Sequence, residues 1–177
     1  VETAVNRPVT HVKNVIGVLE GSGPLAKEIV VIGAHYDHLG FGGRGSLAKG
    51  QGKGQIHHGA DDNGSGTTAV IELARRFGAI KNRQGRRLVF MTFSAEESGL
   101  LGSRHYCTKD PIFALEDTAA MVNLDMVGRL RPDKTTQKDR LIVEGVGTSK
   151  RFDALIDEYN PGFSFTKRQG SGPYSDQ

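Results

Sequence analysis

Apolar runs that end directly in acidic or histidine residues constrain the fold of this chain most. Residues 29–32 form a continuous apolar run that leads into His35 and Asp37, and the apolar segment 87–93 leads into Glu96. A run without alternation is typical of a strand that is covered on both faces, as in a parallel sheet flanked by helices. Segments with the helical spacing of apolar residues alternate with these runs. We therefore predict an α/β fold with helices on both faces of the sheet.

Composition supports one folded domain and excludes several other classes of protein. The chain has 177 residues, of which 37% are hydrophobic, and one domain of this length can bury a sizeable core. The 24 glycines have no three-residue period, which excludes a collagen, and the dense Val, Ile and Leu runs exclude a disordered chain. A formal net charge of +3 favours no nucleic-acid partner, and no apolar run approaches the ~20 residues that span a bilayer.

Local patterns predict most of the elements. Residues 9–19 are β-branched and partly alternating, and turn residues follow them, so we predict a hairpin between this strand and the strand at 29–32. Residues 119–127 are predicted to form a strand in which Asp125 is embedded. A helix is predicted where apolar residues recur at helical spacing, namely at Val70, Leu73, Ala74 and Phe77.

Four clusters of carboxylate and histidine side chains fall at predicted strand ends or in loops. They are His35 with Asp37, Asp61 with Asp62, Glu96 with Glu97, and Asp125. If the fold brings them to one edge of the sheet, several buried carboxylates would be costly without a cation. Mixed His and carboxylate ligands without Cys suit catalytic zinc or a similar divalent ion, and two such ions can share one carboxylate. An adjacent pair such as Glu96 and Glu97 can supply both a ligand and a general base, because neighbouring side chains of an extended segment point in different directions.

Four motifs resemble those of the co-catalytic zinc aminopeptidases of clan MH, which include aminopeptidase Y and bacterial leucyl aminopeptidases. They occur in the family's order and together span most of the chain: GAHYDHLG at 33–40, GADDNGSG at 59–66, FSAEESGLLGS at 93–103 and NLDMVG at 123–128. The resemblance implies a three-layer α/β/α fold with a mixed, mostly parallel central sheet. It also implies a single zinc-peptidase catalytic domain over residues 1–177 and an exopeptidase that hydrolyses N-terminal residues from peptides.

The resemblance further implies a role for each matched residue. The implied ligands of two zinc ions are His35, Asp62, Glu97 and Asp125. Among them Asp62 would bridge both ions, and Glu96 would be the general base. Asp37 would hydrogen-bond the second ring nitrogen of His35 and fix its tautomer. The peptide bond between Asp62 and Asn63 is expected to be cis, and Asp61 is left as a helix cap or a support.

The end of the sequence departs from the family pattern. The family's last zinc ligand is a His downstream of a Ser-Asp-His segment, and here the chain reads Ser175, Asp176, Gln177. We do not take Gln177 as a ligand. We expect that the chain is incomplete at both ends, and that this piece in isolation binds the second zinc poorly and turns over slowly or not at all. Relatives are often exported, so a secreted or periplasmic parent protein is expected.

Several other polar residues receive no catalytic role. His57 and His58 are adjacent in the Gly-rich segment 39–59, where solvated side chains are expected. For His38 a contact with substrate and a packing role both stay open, and Cys107 lacks the Cys–His motif of a nucleophile. The alternatives for function are a carboxypeptidase or a glutaminyl cyclase of the same fold, or a non-catalytic binding ectodomain that kept the fold.

Overall fold

A computed structural model describes residues 9–43, 46–50, 53–132, 139–160, 162–170, 172 and 175–176. Its strands are β1 Val15–Leu19, β2 Ile29–His35, β3 Arg87–Phe93, β4 Thr118–Asn123, β5 Arg131–Pro132, β6 Asp139–Val143 and β7 Phe165–Lys167. Its α-helices are α1 Gly66–Gly78, α2 Leu101–Thr108 and α3 Phe152–Glu158. The predicted helix with apolar face Val70, Leu73, Ala74 and Phe77 is therefore confirmed as α1.

The main sheet has the strand order β1-β3-β2-β4. Strand β2 pairs in parallel with β3 on one side and with β4 on the other, and β1 runs antiparallel to β3. The predicted hairpin between β1 and β2 is therefore wrong. Because β2 is almost wholly buried and both of its edges are taken by parallel neighbours, the more exposed β1 pairs with the free edge of β3.

Both faces of the main sheet are covered. On one face Val31, Met91 and Phe93 pack with Tyr106 of α2. On the other face Ile32 and Phe90, with their neighbours, pack against the apolar side of α1, which presents Val70, Leu73, Ala74 and Phe77. Helix, sheet and helix thus form three layers, and the sheet is mixed and mostly parallel, as the resemblance implied.

The carboxyl ends of β2, β3 and β4 lie at the same edge of the main sheet because these strands are parallel. His35 is the last residue of β2, and Glu96 follows the end of β3. Strand β4 ends at Asn123, two residues earlier than Asp125, so the prediction that Asp125 is embedded in a strand is wrong. The chain leaves the sheet there because Leu124 N donates the last bond, to Gly33 O at 2.8 Å.

A second sheet has the order β5-β6-β7. In it β5 and β6 are antiparallel, and β6 and β7 are parallel. Among the described residues, no helix combines the length and the apolar character that crossing a membrane requires.

Candidate metal centre

His35 is held with one ring nitrogen available to a ligand. Its side chain is 1% exposed, and Nδ1 lies 3.1 Å from the backbone carbonyl oxygen of Asp37. A carbonyl oxygen only accepts, so in the neutral ring that can bind a metal ion Nδ1 carries the proton and Nε2 keeps its lone pair. The expected partner was the Asp37 carboxylate, but its Oδ1 is 3.9 Å from Nδ1, beyond hydrogen-bond distance. The backbone of Asp37 therefore fixes the His35 tautomer in place of its side chain.

Two carboxylates face the free nitrogen of His35. Nε2 lies 3.3 Å from Asp62 Oδ1 and 3.6 Å from Asp125 Oδ1. Ligand atoms about 2.0–2.2 Å from a tetrahedral zinc ion lie roughly 3.3–3.6 Å from one another, so these spacings fit a zinc site. Asp125 Oδ1 is buried and accepts no hydrogen bond from the described residues, while Oδ2 accepts one from Ser175 Oγ at 2.7 Å. A cation would satisfy the unpaired oxygen.

A second group of possible ligands shares Asp62 with the first. It comprises His38, Asp62 and Glu97, each with one donor atom within 4.8 Å of the others. His38 Nδ1 lies 2.6 Å from Glu97 Oε1 and 4.0 Å from Asp62 Oδ1. Asp62 therefore lies where a carboxylate that bridges two ions would have to lie. This arrangement fits the predicted ligands, which are His35, Asp62, Glu97 and Asp125. Their assignment stays a prediction.

The Asp37 carboxylate holds the backbone of the two adjacent glutamates, Glu96 and Glu97. Its Oδ1 accepts a hydrogen bond from Glu96 N at 3.0 Å, and its Oδ2 accepts one from Glu97 N at 3.3 Å. Ala95 turns the chain just before them with a left-handed φ of 58°. The carboxylate that the sequence linked to His35 thus fixes the backbone of the glutamate pair, a role that a motif alone does not reveal.

The turn Ala60–Ser65 places Asp62 and is tied to the segment that carries Asp125. Asn63 is 2% exposed; its Oδ1 accepts a hydrogen bond from Gly66 N at 3.0 Å, and its Nδ2 donates to Leu124 O at 3.0 Å. The first contact caps α1, since an amide oxygen at a helix start accepts an otherwise unpaired N–H. The peptide bond between Asp62 and Asn63 is cis, as predicted.

Asp61 makes a second connection between the turn Ala60–Ser65 and the segment that follows β4. Its Oδ1 accepts a hydrogen bond from Gly128 N at 2.9 Å, and its carboxylate pairs with Arg129 Nε at 2.7 Å. Asp61 also receives the Ser65 hydroxyl at its backbone oxygen, at 2.7 Å. These contacts fit the prediction of a supporting residue, and the long-range partners could not be read from the sequence.

The charges of the cluster shift its protonation. Burial is the largest cause that raises the pKa of Glu96 to about 7, and the nearby His35 opposes it. Burial by itself lowers the pKa of His35, but Asp125, Glu96 and the Asp37 carbonyl outweigh it and raise that pKa to about 9. Burial by itself raises the pKa of Asp125, but contacts with His35 and Ser175 outweigh it and bring that pKa below its ordinary value. Without a cation, the cluster therefore holds a cationic His35 among carboxylates.

Three residues near the centre were not assigned by the sequence. Ser175 binds Asp125, and the neighbouring Asp176 is 4% exposed, with a pKa that burial raises. The available signal for His38 was its place in the first motif, three positions after His35, and for Ser175 and Asp176 it was their match to the family's Ser-Asp-His segment. Gln177, which departs from the family pattern, lies outside the described residues.

An open cavity of about 540 Å³ adjoins the centre. Asp37, His38, Leu39 and Glu97 are among the residues that line it, so Glu97 faces a space that a substrate could enter. His57, from the Gly-rich segment, lies with its ring 6.1 Å from that of His38 and with Nε2 2.9 Å from Ser46 Oγ.

Comparison with known proteins shows the family to which the chain belongs. The sequence model of peptidase family M28 matches residues 14–174. The chain belongs to this family. It is 34% identical over 116 residues to aminopeptidase YwaD of Bacillus subtilis, covering 66% of this chain and 22% of that protein. It is 38% identical over 136 residues to leucine aminopeptidase 1 of Neurospora crassa, covering 75% of this chain and 29% of that protein.

A solved structure shows the same fold. The crystal structure of BSAP, a zinc aminopeptidase from Bacillus subtilis, superimposes with a TM-score of 0.67 at 29% identity, over 92% of this chain and 36% of that one. The chain thus spans about a fifth to a third of the length of these relatives. The family and the α/β fold of the sequence prediction are confirmed.

Proposed function

We propose that this chain forms the metal-binding part of a zinc aminopeptidase that removes N-terminal residues from peptides. The observation that carries the proposal is the position of Asp62, whose carboxylate has an oxygen within 4.8 Å of ligand atoms of His35 and Asp125 and also of Glu97. The names of the family relatives support peptide substrates, an N-terminal cleavage site and zinc. A single-zinc glutaminyl cyclase is less well supported because His35 and Asp125 complete a group for a second ion.

The donor set fits zinc. We assign His35, Asp62 and Asp125 to one ion and Asp62 with Glu97 to the other, because these are imidazole and carboxylate donors without thiolate. When bound, the ions would supply Lewis-acid activation of a water molecule and of the scissile carbonyl. The protein holds these donors rigidly through backbone contacts, since Asp37 O fixes His35 and Thr67 Oγ1 donates to His35 O at 2.9 Å.

Glu96 is the residue we propose to move the proton. In the metal-free chain its partial burial raises its pKa to about 7, so the environment of Glu96 favours a carboxylate that takes up and releases a proton. Its carboxylate would accept a proton from the attacking water and donate it to the leaving amine. The hydrogen bond from Glu96 N to Asp37 Oδ1 holds its backbone in place for this transfer.

The test compares Glu96→Gln with Glu97→Gln in the full-length protein. We expect E96Q to lose turnover of a leucyl chromogenic amide by about 10²–10⁴-fold with its zinc content unchanged. We expect E97Q to lose zinc as well as activity. An N-acetylated form of the same substrate should not be cleaved, because its N-terminus is blocked.

Other outcomes would contradict the proposal in separable ways. Loss of zinc from E96Q alone would show that the roles of the two glutamates are exchanged. Cleavage of the blocked substrate, or of a peptide from its carboxyl end, would exclude an aminopeptidase. A full-length protein without bound metal or hydrolysis would indicate a binding module.

A further inference from the structure

His38 makes the shortest contact between side chains of the candidate metal centre. Its Nδ1 is 2.6 Å from Glu97 Oε1, and the two side chains are 20% and 22% exposed. Gly59 and His57 also lie near the ring. A Cβ added at Gly59, where φ is +63°, would lie only 3.0 Å from His38 Cβ and Cγ, and the His57 ring approaches edge-on. His38 thus directs Nδ1 at Glu97, while part of its side chain faces the open cavity.

The distances distinguish a hydrogen bond from shared coordination of an ion. The separations around His35, 3.3 and 3.6 Å, equal those of two ligands on one zinc ion. The 2.6 Å between His38 and Glu97 is too short for that and is the length of a charge-assisted hydrogen bond. The 4.0 Å between His38 Nδ1 and Asp62 Oδ1 is too long for a hydrogen bond. A carboxylate accepts only, so His38 Nδ1 carries the proton of this bond.

We propose that His38 is a positioning residue that orients Glu97 toward the second cation, an inference that rests on the proposed function. The hydrogen bond occupies Oε1 and leaves Oε2 for the ion. Asp37 holds the backbone N–H of Glu97 at 3.3 Å, so the segment that follows β2 fixes both the main chain and the side chain of this ligand.

The test measures zinc binding by the full-length protein and three variants at position 38. In His38→Ala we expect the second zinc ion to bind about 10–100-fold more weakly and the first to bind as in the wild type. In His38→Asn the amide nitrogen lies close to the position of Nδ1, so binding of the second ion should be largely restored. In His38→Gln the amide extends past that position, so binding should be weak again. The exposed His105 gives the control His105→Ala, which should match the wild type.

Two further measurements separate positioning from other roles. Melting temperatures of the metal-free wild type and H38N should agree, because Asn keeps the hydrogen bond to Glu97. X-ray absorption of the zinc-loaded H38N protein should show the same number of imidazole ligands as the wild type. If H38A does not fold, H38N and H38Q carry the comparison.

Each remaining result would overturn the inference. Wild-type affinity for the second ion in H38A and H38Q would show that His38 is not needed. One imidazole fewer per protein in H38N would make His38 a zinc ligand. A wild-type protein that binds no zinc would refute the proposed function, and with it the basis of this inference. If the wild type binds two ions and the position-38 variants bind the second ion equally well, the inference is refuted and the proposed function is not.

Discussion

At the scale of single residues, the protonation of His35 makes the stability of the metal-free protein depend on pH. In the folded chain its pKa is about 9, against an ordinary value of 6.5, so it contributes stability that is complete below pH 6.5 and is lost as pH rises through 9. The pKa of Glu96 is raised from 4.5 to about 7, which likewise lowers stability as pH rises through that range.

We therefore expect the melting temperature of the metal-free protein to fall steadily between pH 6.5 and 9. Thermal unfolding in the presence of a chelator measures this. His35→Gln should have a flatter profile above pH 6.5 whatever its absolute stability, because Gln does not titrate. An equally steep decline in H35Q would show that another group is responsible.

The Asp37 carboxylate permits a second prediction. Asp37→Asn keeps one acceptor oxygen but turns an NH₂ group toward a backbone N–H of Glu96 or Glu97. We expect turnover to fall about 10–100-fold with the first zinc ion retained, since His35 is fixed by the Asp37 carbonyl. Steady-state kinetics and metal analysis measure the two effects. Loss of the first ion would instead support the side-chain contact to His35 that the sequence predicted.

At the scale of elements, the start of α1 leaves no room for a side chain. A Cβ at Gly66 would overlap the carbonyl oxygen of Leu124 and Oδ1 of Asn63. We expect Gly66→Ala to destabilise the protein by about 1–3 kcal/mol and to weaken zinc binding, because the turn that carries Asp62 must shift. Denaturant unfolding and zinc titration measure the change.

Gly78 at the end of the same helix gives the matched control. A Cβ there would meet no atom within 4 Å, so Gly78→Ala should change stability by less than about 1 kcal/mol. Equal effects of the two substitutions would show that helix propensity, and not the close approach of Leu124, determines the cost at Gly66.

At the scale of the whole molecule, the proposed ions would connect strand ends and loops that are far apart in sequence. His35 ends β2, Asp62 lies before α1, Glu97 follows β3 and Asp125 follows β4. Because a cation that binds only the folded state stabilises it, we expect chelation to lower the melting temperature and added zinc to restore it. Zinc at a hundredfold excess over its dissociation constant would contribute about 2.7 kcal/mol. Identical melting curves with and without chelator would contradict this expectation.

Local patterns in the sequence were sufficient to predict several elements of the fold. The apolar runs gave β2 and β3, the spacing of Val70 and Phe77 gave α1, and the order of the motifs gave the family. The candidate ligands could be named for the same reason. Apolar strands that end in carboxylates leave those groups at one sheet edge, and burying them there without a cation is costly.

The partner that each group takes depends on how the chain packs in three dimensions. This packing paired β1 with β3 instead of β2, because the edges of β2 were already occupied. It turned the Asp37 carboxylate to the glutamate backbone and His38 to Glu97. These choices depend on distances between segments about 60 positions apart in the chain, and a hydrogen bond needs its atoms placed to within a few tenths of an ångström. Residue order and composition carry no such distances, whereas the packed sheet and its turns do.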